Sequence, residues 1–478
     1  MSEQIERPEV YVDGTWRRPA TGGSAAMVEA ATGRPFGRVG LGGVEEIDAA
    51  VAAARAALSG PWAAYSPEER AASIEAFAAE LKRRARDTAT LVTRENGMPI
   101  SLSGIVNGLA PYAITRYYAS LAAGLGESDV RPSPTGGRTI VTRQPVGVVA
   151  AITPWNYPQA LAIMKVAPAL AAGCAVVLKP PPEAALDGLV LADAAAAAGL
   201  PPGVLNVVPG GREAGAHLVA HPGVDKVAFT GSTGAGRAIG ATTGDLLRPT
   251  TLELGGKSVS LVAPDADLDL VAAKLWEVSL PNNGQTCHAA TRILAPRGRY
   301  DEVVEAVTET VGGLRVGDPL DPGTQIGPVV SSLQQERVLG YVEKGRGEGA
   351  RVTTGGGRPD RPGWYVEPTV FADVTNDMAV AREEIFGPVL CVIPYADEAE
   401  AIAIANDSDY GLGGVVWTSD EERGIALAQQ IETGTVGVNH YELHINAPFG
   451  GVKASGVGRE LGPEGLSPYL RTTSIYLP

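Results

Sequence analysis

Between residues 146 and 230 the chain alternates short apolar runs with helical stretches, and this rhythm restricts the possible fold more than any other feature. VGVVAAIT, CAVVLK, VLNVVPG and VDKVAFTG are four such runs, each closed by Pro or Gly, with helical sequence such as 183–199 between them. A strand that is apolar on both faces has to be covered on both faces, so buried strands separated by helices specify a parallel, doubly wound sheet. A similar alternation resumes after Glu253, with KSVSLVAP, a helix over 268–280, RILAP, a helix over 301–313 and the later run TVGVNH. Two α/β domains are expected, in keeping with 478 residues at roughly 100–200 residues per domain.

Upstream, residues 44–58 read as a helix with acids in its first turn and Arg55 near its end, as the helix dipole favours. A second helix should start at SPEER, where Ser66 caps, Pro67 takes the first helical position and Glu69 stands three residues on. The runs in 127–145 and the tail LRTTSIYLP are β-type but lie outside the main rhythm. They suit either edge strands that pair with another subunit or a surface hairpin.

A formal charge of −15 leaves no basic face for nucleic acid or an anionic membrane. The start MSEQIERPEVYVDG lacks the basic and apolar regions of a signal peptide, and no apolar window approaches the length of a spanning helix. Three widely spaced cysteines offer neither a disulfide framework nor a metal-ligand spacing, so a reducing, cytoplasmic compartment is expected and no metal. Cys174 and Cys391 sit in apolar runs, where a thiol packs as a small hydrophobe. Cys287 differs, because it follows NNGQT and looks held out on a polar, glycine-containing turn.

Other polar residues stand at strand ends, where open α/β sheets bind ligands. VAFTGSTGAGRAIG is a strand, a glycine turn and a helix start, and such a start offers backbone N–H groups to a phosphate. Its spacing of Gly231, Gly234 and Gly236 is not that of the common dinucleotide fingerprint, and a purely structural turn is the alternative. TPWNYP fixes Trp155 and Asn156 between prolines, which would hold the Asn amide as a donor or simply make a rigid turn. Lys179, in LKP, can meet a ribose hydroxyl or phosphate, or face solvent. Glu253 lies between Leu252 and Leu254, so desolvation should raise its pKa and suit it to proton transfer. A structural carboxylate capping the next turn is the alternative.

Together and in this order, TPWNYP, LKP, FTGSTGAG, LELGGK, NNGQTC, EEIFGPV and NAPFGGVKASGVGRELG resemble the aldehyde dehydrogenase superfamily. The separation of Glu253 and Cys287 matches that family's spacing, and VDGTW and ATGRPFGRV extend the likeness over essentially the whole chain. The resemblance implies a Rossmann-type cofactor domain over 1–126 and 146–252 and an α/β catalytic domain over 253–452. It implies a small β oligomerisation element with the tail over 127–145 and 453–478. Cys287 would attack the aldehyde carbonyl, Asn156 with the Cys287 N–H would stabilise the oxyanion, and Glu253 would activate the water that hydrolyses the thioester. Glu460 matches a second acid proposed as a proton relay, with a salt bridge near the cofactor-domain surface as the alternative.

For the cofactor, the resemblance assigns Lys179 to the adenosine ribose, Gly231 and Ser232 to the pyrophosphate, and Glu384 and Phe386 to the nicotinamide end. Ile152, Thr153, Pro154, Trp155, Gly210, Phe229, Leu254 and Gly255 complete that set. One departure stands out: the family often has a ribose-binding glutamate three residues after the lysine, whereas here Pro182 fills that place and Glu183 follows. NAD+ and NADP+ both stay open. Tyr157, Leu161, Met164, Thr286, His288, Phe449 and the loop 439–448 should line the aldehyde tunnel, with a medium-sized aliphatic or aromatic aldehyde favoured. His440 and His444 are further candidates there, although ordinary loop histidines fit as well. A homodimer or homotetramer is implied. Rival readings are an enzyme that passes the acyl group to coenzyme A, disfavoured by Glu253, and an inactive binding relative, disfavoured because both Cys287 and Glu253 are present.

Overall fold

The computed structural model describes residues 4–20, 23–125 and 129–478. The expected domain boundary at 126–127 lies outside the described residues. The alternation of apolar runs produces two large sheets. In the first, Thr250–Glu253, Lys226–Thr230, Val148–Ile152, Ala175–Lys179 and Leu205–Val207 lie side by side in that order, all parallel. Short antiparallel strands close its edges, Gly456–Val457 on one side and Val10–Val12 with Thr15–Arg17 on the other. The chain runs outward from Val148–Ile152 in one direction, then returns to add Lys226–Thr230 on its other flank. That reversal opens a crevice at the carboxyl ends of the strands, where helices diverge and a ligand can enter.

Register places the polar residues at that crevice. Ile152 pairs with Lys179 and Phe229 pairs with Ile152, while Thr230 pairs with Glu253. The residues at the strand ends are therefore neighbours in space although about 100 positions span them in sequence.

The second sheet runs Arg351–Thr354, Thr369–Ala372, Val389–Tyr395, Arg292–Pro296, Val259–Val262, Gly414–Trp417 and Gly437–Val438, parallel except for its first strand. Side chains alternate between its faces. Leu390 and Val392 enter one core with Val262 and Trp417, while Val389, Cys391 and Ile393 enter the other with Leu261 and Val416. Of the run TVGVNH, only Gly437–Val438 is strand.

Capping follows the sequence. Ser66 N–H donates to Glu69 Oε2 at 2.8 Å and Glu69 N–H donates to Ser66 Oγ at 3.2 Å, starting the helix Pro67–Asn96. Gly97 ends it at φ 80°, where a Cβ would stand 2.3 Å from Pro328 O. This helix is about 45 Å long at 1.5 Å per residue, and its last residue reaches the site described below. No helix among the described residues is long and apolar enough to cross a membrane.

Asp129–Pro132, Arg138–Pro145 and Leu470–Leu477 form a separate antiparallel sheet, with Leu470 opposite Pro145 and Leu477 opposite Arg138. Within 453–478 only this last strand belongs to it. Gly456–Val457 joins the first large sheet, and Leu461, Leu466 and Tyr469 are packed in the first core.

Candidate active site

The segment NNGQT is buried, not held out on a surface turn, and this corrects the expectation for Cys287. Residues 281–286 are all buried and Cys287 is partly so. Asn282, Asn283 and Gly284 adopt φ of 51°, 61° and 75°, the left-handed conformation that Asn and Gly tolerate best. Glycine is required at 284, since a Cβ there would stand 2.1 Å from Gly387 O. The polar side chains are consumed by backbone groups. Asn283 Nδ2 donates to Gly97 O and Pro328 O at 2.9 and 2.8 Å, and Gln285 Oε1 accepts from Val330 N at 2.9 Å. A polar loop thus packs inside, because most of its amide groups replace hydrogen bonds that water would have made, with Asn282 Oδ1 left unpartnered.

Asn156 is held from both ends. Its Nδ2 donates to Gln285 O at 3.0 Å, and its own carbonyl accepts from Asn96 Nδ2 at 3.0 Å and Asn282 Nδ2 at 2.9 Å. Only one of the two N–H bonds on Nδ2 is so engaged, and the other is free to donate. Thr286 Oγ1 donates to Pro281 O at 2.9 Å, so Tyr157 supplies the proton in the 2.7 Å contact between their hydroxyls.

Glu253 ends its strand with both carboxylate oxygens buried and unpartnered. Burial raises its pKa well above the carboxylate range, the neighbouring Glu460 adds to this, and Lys165 and Arg459 act against it. Space for the carboxylate comes from Gly450, at φ 152°, where a Cβ would lie 2.6 Å from Glu253 Oε1. The Cys287 thiol is likewise pushed up, first by burial and then by the charges of Glu384 and Glu253. A thiol in this setting stays protonated until a base takes its proton.

Glu460 is not near the surface, as one sequence reading had it. It is buried and paired, with Lys165 Nζ 2.6 Å from Glu460 Oε1 and 2.5 Å from Thr230 Oγ1. Sequence reasoning missed Lys165. The available signal was a single charge within ALAIMKVAPALA, a helix whose every residue from Leu161 to Ala172 is buried. Replacing Lys165 by Met should lower stability by about 3–5 kcal/mol, since it strands the Glu460 carboxylate in a dry interior. Denaturant titration of both proteins measures the difference.

The expected cofactor residues fall in two adjoining places. Ile152, Lys179, Phe229 and Ser232 line a groove of about 800 Å³ between the helices Arg212–Ala220 and Thr233–Asp245. The helices face each other with small residues, Gly215, Ala216 and Ala220 against Gly234, Ala235 and Ala238. That pairing of small residues could be read from helical spacing. Ser232 caps the second helix by accepting from Ala235 N at 3.3 Å. Gly231 and Gly236 keep the turn open, because a Cβ would stand 2.5 Å from Phe229 Cζ or 2.4 Å from Leu254 Cδ2. Lys179 Nζ donates to Gly210 O at 2.7 Å, and Thr153 N donates to Lys179 O at 3.4 Å. Pro154 is half-buried beside them.

At the other end, Glu384, Phe386 and Thr286 border a second, smaller cavity. Glu384 Oε1 accepts from Gly256 N at 3.1 Å, and a Cβ on Gly255 would meet Glu384 Oε2 at 2.6 Å. Burial lifts the Glu384 pKa to about 7, against the Gly256 N–H and the charges of Arg337 and Lys257. Phe386, at φ 62°, stands edge-on to Trp155 with ring centroids 5.4 Å apart. Its strained backbone is pinned by Gln334 Nε2, which donates to Phe386 O at 2.8 Å. Together the groove, the glycine turn and the half-buried Glu384 fit a dinucleotide: an apolar slot, a helix N-terminus for phosphate and a hydroxyl acceptor.

Several of the expected tunnel residues share a core with Cys287. Leu161, Met164 and Phe449 belong to the first core, and Tyr157, Cys287, Leu443 and Ile445 pack against it. His288 stacks on Tyr441 at 5.1 Å and meets the edge of Phe449 at 6.0 Å. Burial lowers the His288 pKa to about 4, so the ring is neutral. In YELHI the period is two: Tyr441, Leu443 and Ile445 are part-buried, whereas Glu442 and His444 are exposed. His440 is exposed and lies 3.2 Å from Glu442 Oε2. Of the three histidines considered for substrate contact, only His288 faces this cluster.

Comparison with known proteins agrees with this geometry. The aldehyde dehydrogenase family model matches residues 16–475. Geranial dehydrogenase of Castellaniella defragrans is 53% identical over 475 residues, covering 99% of each chain. A crystal structure of a Mycobacterium tuberculosis aldehyde dehydrogenase complexed with NAD+ superposes with TM-score 0.97 at 46% identity, covering 100% of this chain and 99% of that one. An aldehyde dehydrogenase mutant from Pseudomonas syringae, complexed with NAD+ and octanal, superposes with TM-score 0.95 at 40% identity, covering 99% and 98%. A part-buried cysteine, an amide with a free N–H, an unpaired carboxylate and a groove that fits a dinucleotide have their counterpart in this similarity over the whole length: the chain belongs to the aldehyde dehydrogenase family.

Proposed function

We propose that this NAD(P)-dependent aldehyde dehydrogenase oxidises an uncharged, largely hydrocarbon aldehyde to its carboxylic acid. The observation that carries the substrate class is the apolar company of Cys287: Tyr157, Leu161, Met164, Leu443, Ile445 and Phe449 share its core, and its neutral neighbour His288 stacks on Tyr441. A carboxylate or ammonium on the substrate would lose its water there without a counter-charge. The flat faces of Tyr441 and His288 favour a planar, conjugated chain. The likeness to geranial dehydrogenase supports this reading.

Cys287 Sγ bonds to the carbonyl carbon as its proton leaves to Glu253, and the second N–H of Asn156 with the Cys287 N–H receives the oxyanion. Bound NAD(P)+ supplies the hydride acceptor. Once Glu253 has released that proton to solvent, its carboxylate takes a proton from water, whose oxygen attacks the thioester carbon and expels the Cys287 sulfur as the thiolate. Glu460 and Lys165, hydrogen-bonded to each other, act on Glu253 through their charges, which supports a part for this pair in handling the proton.

Specificity constants should be about 100-fold higher for geranial than for succinic semialdehyde or 4-aminobutanal, since several buried methylenes contribute about 0.8 kcal/mol each. Equal constants would remove the apolar reading. The three-stranded sheet ends in the exposed strand Leu470–Leu477, and its open edge supports a homodimer or homotetramer. Three free thiols are in keeping with a reducing cytoplasm.

A further inference from the structure

Three buried amide side chains close a ring of hydrogen bonds around the Asn156 loop. Asn96 Nδ2 donates to Asn156 O at 3.0 Å, Asn156 Nδ2 donates to Gln285 O at 3.0 Å, and Gln285 Nε2 donates to Asn96 O at 3.5 Å. Each amide thus donates to the main-chain carbonyl of the next, across 60, 129 and 189 positions of sequence. All three side chains are buried, and Asn282 Nδ2 adds a brace to Asn156 O at 2.9 Å.

Two members of the ring come from the loops that carry the chemistry, Asn156 itself and Gln285, which stands just ahead of Thr286 and Cys287. Asn96 belongs to neither loop. It is the last residue of the helix Pro67–Asn96, whose final carbonyls have no partner within the helix, and Gln285 Nε2 satisfies its own. The direction of the Asn96 amide is fixed, because Met98 N donates to its Oδ1 at 2.9 Å. Nδ2 therefore faces two consecutive carbonyls, those of Trp155 and Asn156, each at 3.0 Å, and spends both of its N–H bonds on them. Gripping two consecutive peptide groups sets the direction of that stretch of chain as well as its distance.

We propose that Asn96 is a positioning residue for aldehyde oxidation: it holds the Asn156 amide where the free N–H meets the developing oxyanion. The proposal rests on Asn156 being the oxyanion donor. A donor aimed at developing charge contributes most when it is already in place as the charge forms, and a misplacement of about 1 Å costs on the order of 10²-fold.

Single-turnover cofactor reduction by the full-length enzyme, followed by rapid mixing, tests this with Asn96→Ala and Asn96→Asp. The second variant nearly keeps the shape and keeps the acceptor for Met98 N, but turns an oxygen toward the two carbonyls. Each should slow the turnover by about 10–100-fold. Asn156→Ala should slow it by about 10²–10³-fold, and adding Asn96→Ala to it should cost no more than about a further twofold, because the group being positioned is gone. Iodoacetamide separates this from general damage, since displacement at its carbon forms no oxyanion. Both Asn96 variants should alkylate Cys287 within about threefold of the wild-type rate.

A folded Asn96 variant that keeps its turnover rate overturns the proposal, as does a loss that multiplies in full with that of Asn156→Ala or is matched by an equal loss of alkylation. Labelling of Cys174 and Cys391 in both variants would assign Asn96 to folding alone and overturn it too. An Asn156→Ala variant that keeps its rate removes the oxyanion assignment itself.

Discussion

Cys287→Ala is expected to lower aldehyde oxidation by roughly 10⁴-fold or more, because no other side chain is placed to form the covalent intermediate. Cofactor binding should survive, since the groove is lined by residues of the first sheet and its helices, not by Cys287. Alkylation provides an independent check. Cys174 and Cys391 are 0% and 1% exposed, whereas Cys287 is partly exposed. Native protein should therefore take up one equivalent of iodoacetamide, and the variant none. The labelling rate should rise with pH, because burial and the charges of Glu384 and Glu253 hold the thiol pKa above its ordinary value and only the thiolate reacts. Residual turnover above about 1% of wild type, or full alkylation of the variant, would remove Cys287 from the chemistry.

The parts of this site that were legible in the sequence are those fixed by short-range pattern. Apolar runs bounded by Pro or Gly located the central strands of the first sheet, and SPEER marked the start of a 30-residue helix. The order of motifs pointed to Cys287, Asn156 and Glu253 before any distance was known. What stayed hidden depends on burial and on long-range pairing. NNGQT reads as a surface turn, because five polar or glycine residues in a row seldom find partners inside a protein. Here they find Gly97, Pro328 and Val330, up to 189 positions away for the Gln285 contact to Asn96.

Glu460 illustrates the same limit. Its sequence neighbours Gly458, Arg459 and Gly462 suggest exposure, yet its backbone pairs with Phe449 and its side chain meets Lys165 from a distant helix. The cation that makes its burial tolerable lies 295 residues away, so no local window contains both.

Glu253→Gln separates the two halves of the reaction. Glutamine keeps the volume of the side chain but cannot take a proton, and it removes a charge that holds the Cys287 pKa up. Attack and oxidation can then proceed once, through the small fraction of thiolate, while hydrolysis of the thioester loses its base. Rapid mixing should show up to one equivalent of reduced cofactor per subunit, followed by a steady rate lowered by about 10²–10⁴-fold. The pH dependence carries a definite sign. Only ionised Glu253 accepts a proton, and burial together with Glu460 raises its pKa well above the ordinary carboxylate value. Hydrolysis in the wild type should therefore be slow in acid and rise as pH passes through that elevated pKa, whereas the glutamine variant should lack this limb. The same limb should move to lower pH when Glu460 is replaced by Gln, because the charge that adds to burial in opposing ionisation of Glu253 is gone and Lys165 remains to favour it. A pH profile that is identical in wild type and Glu253→Gln would assign the base to another group.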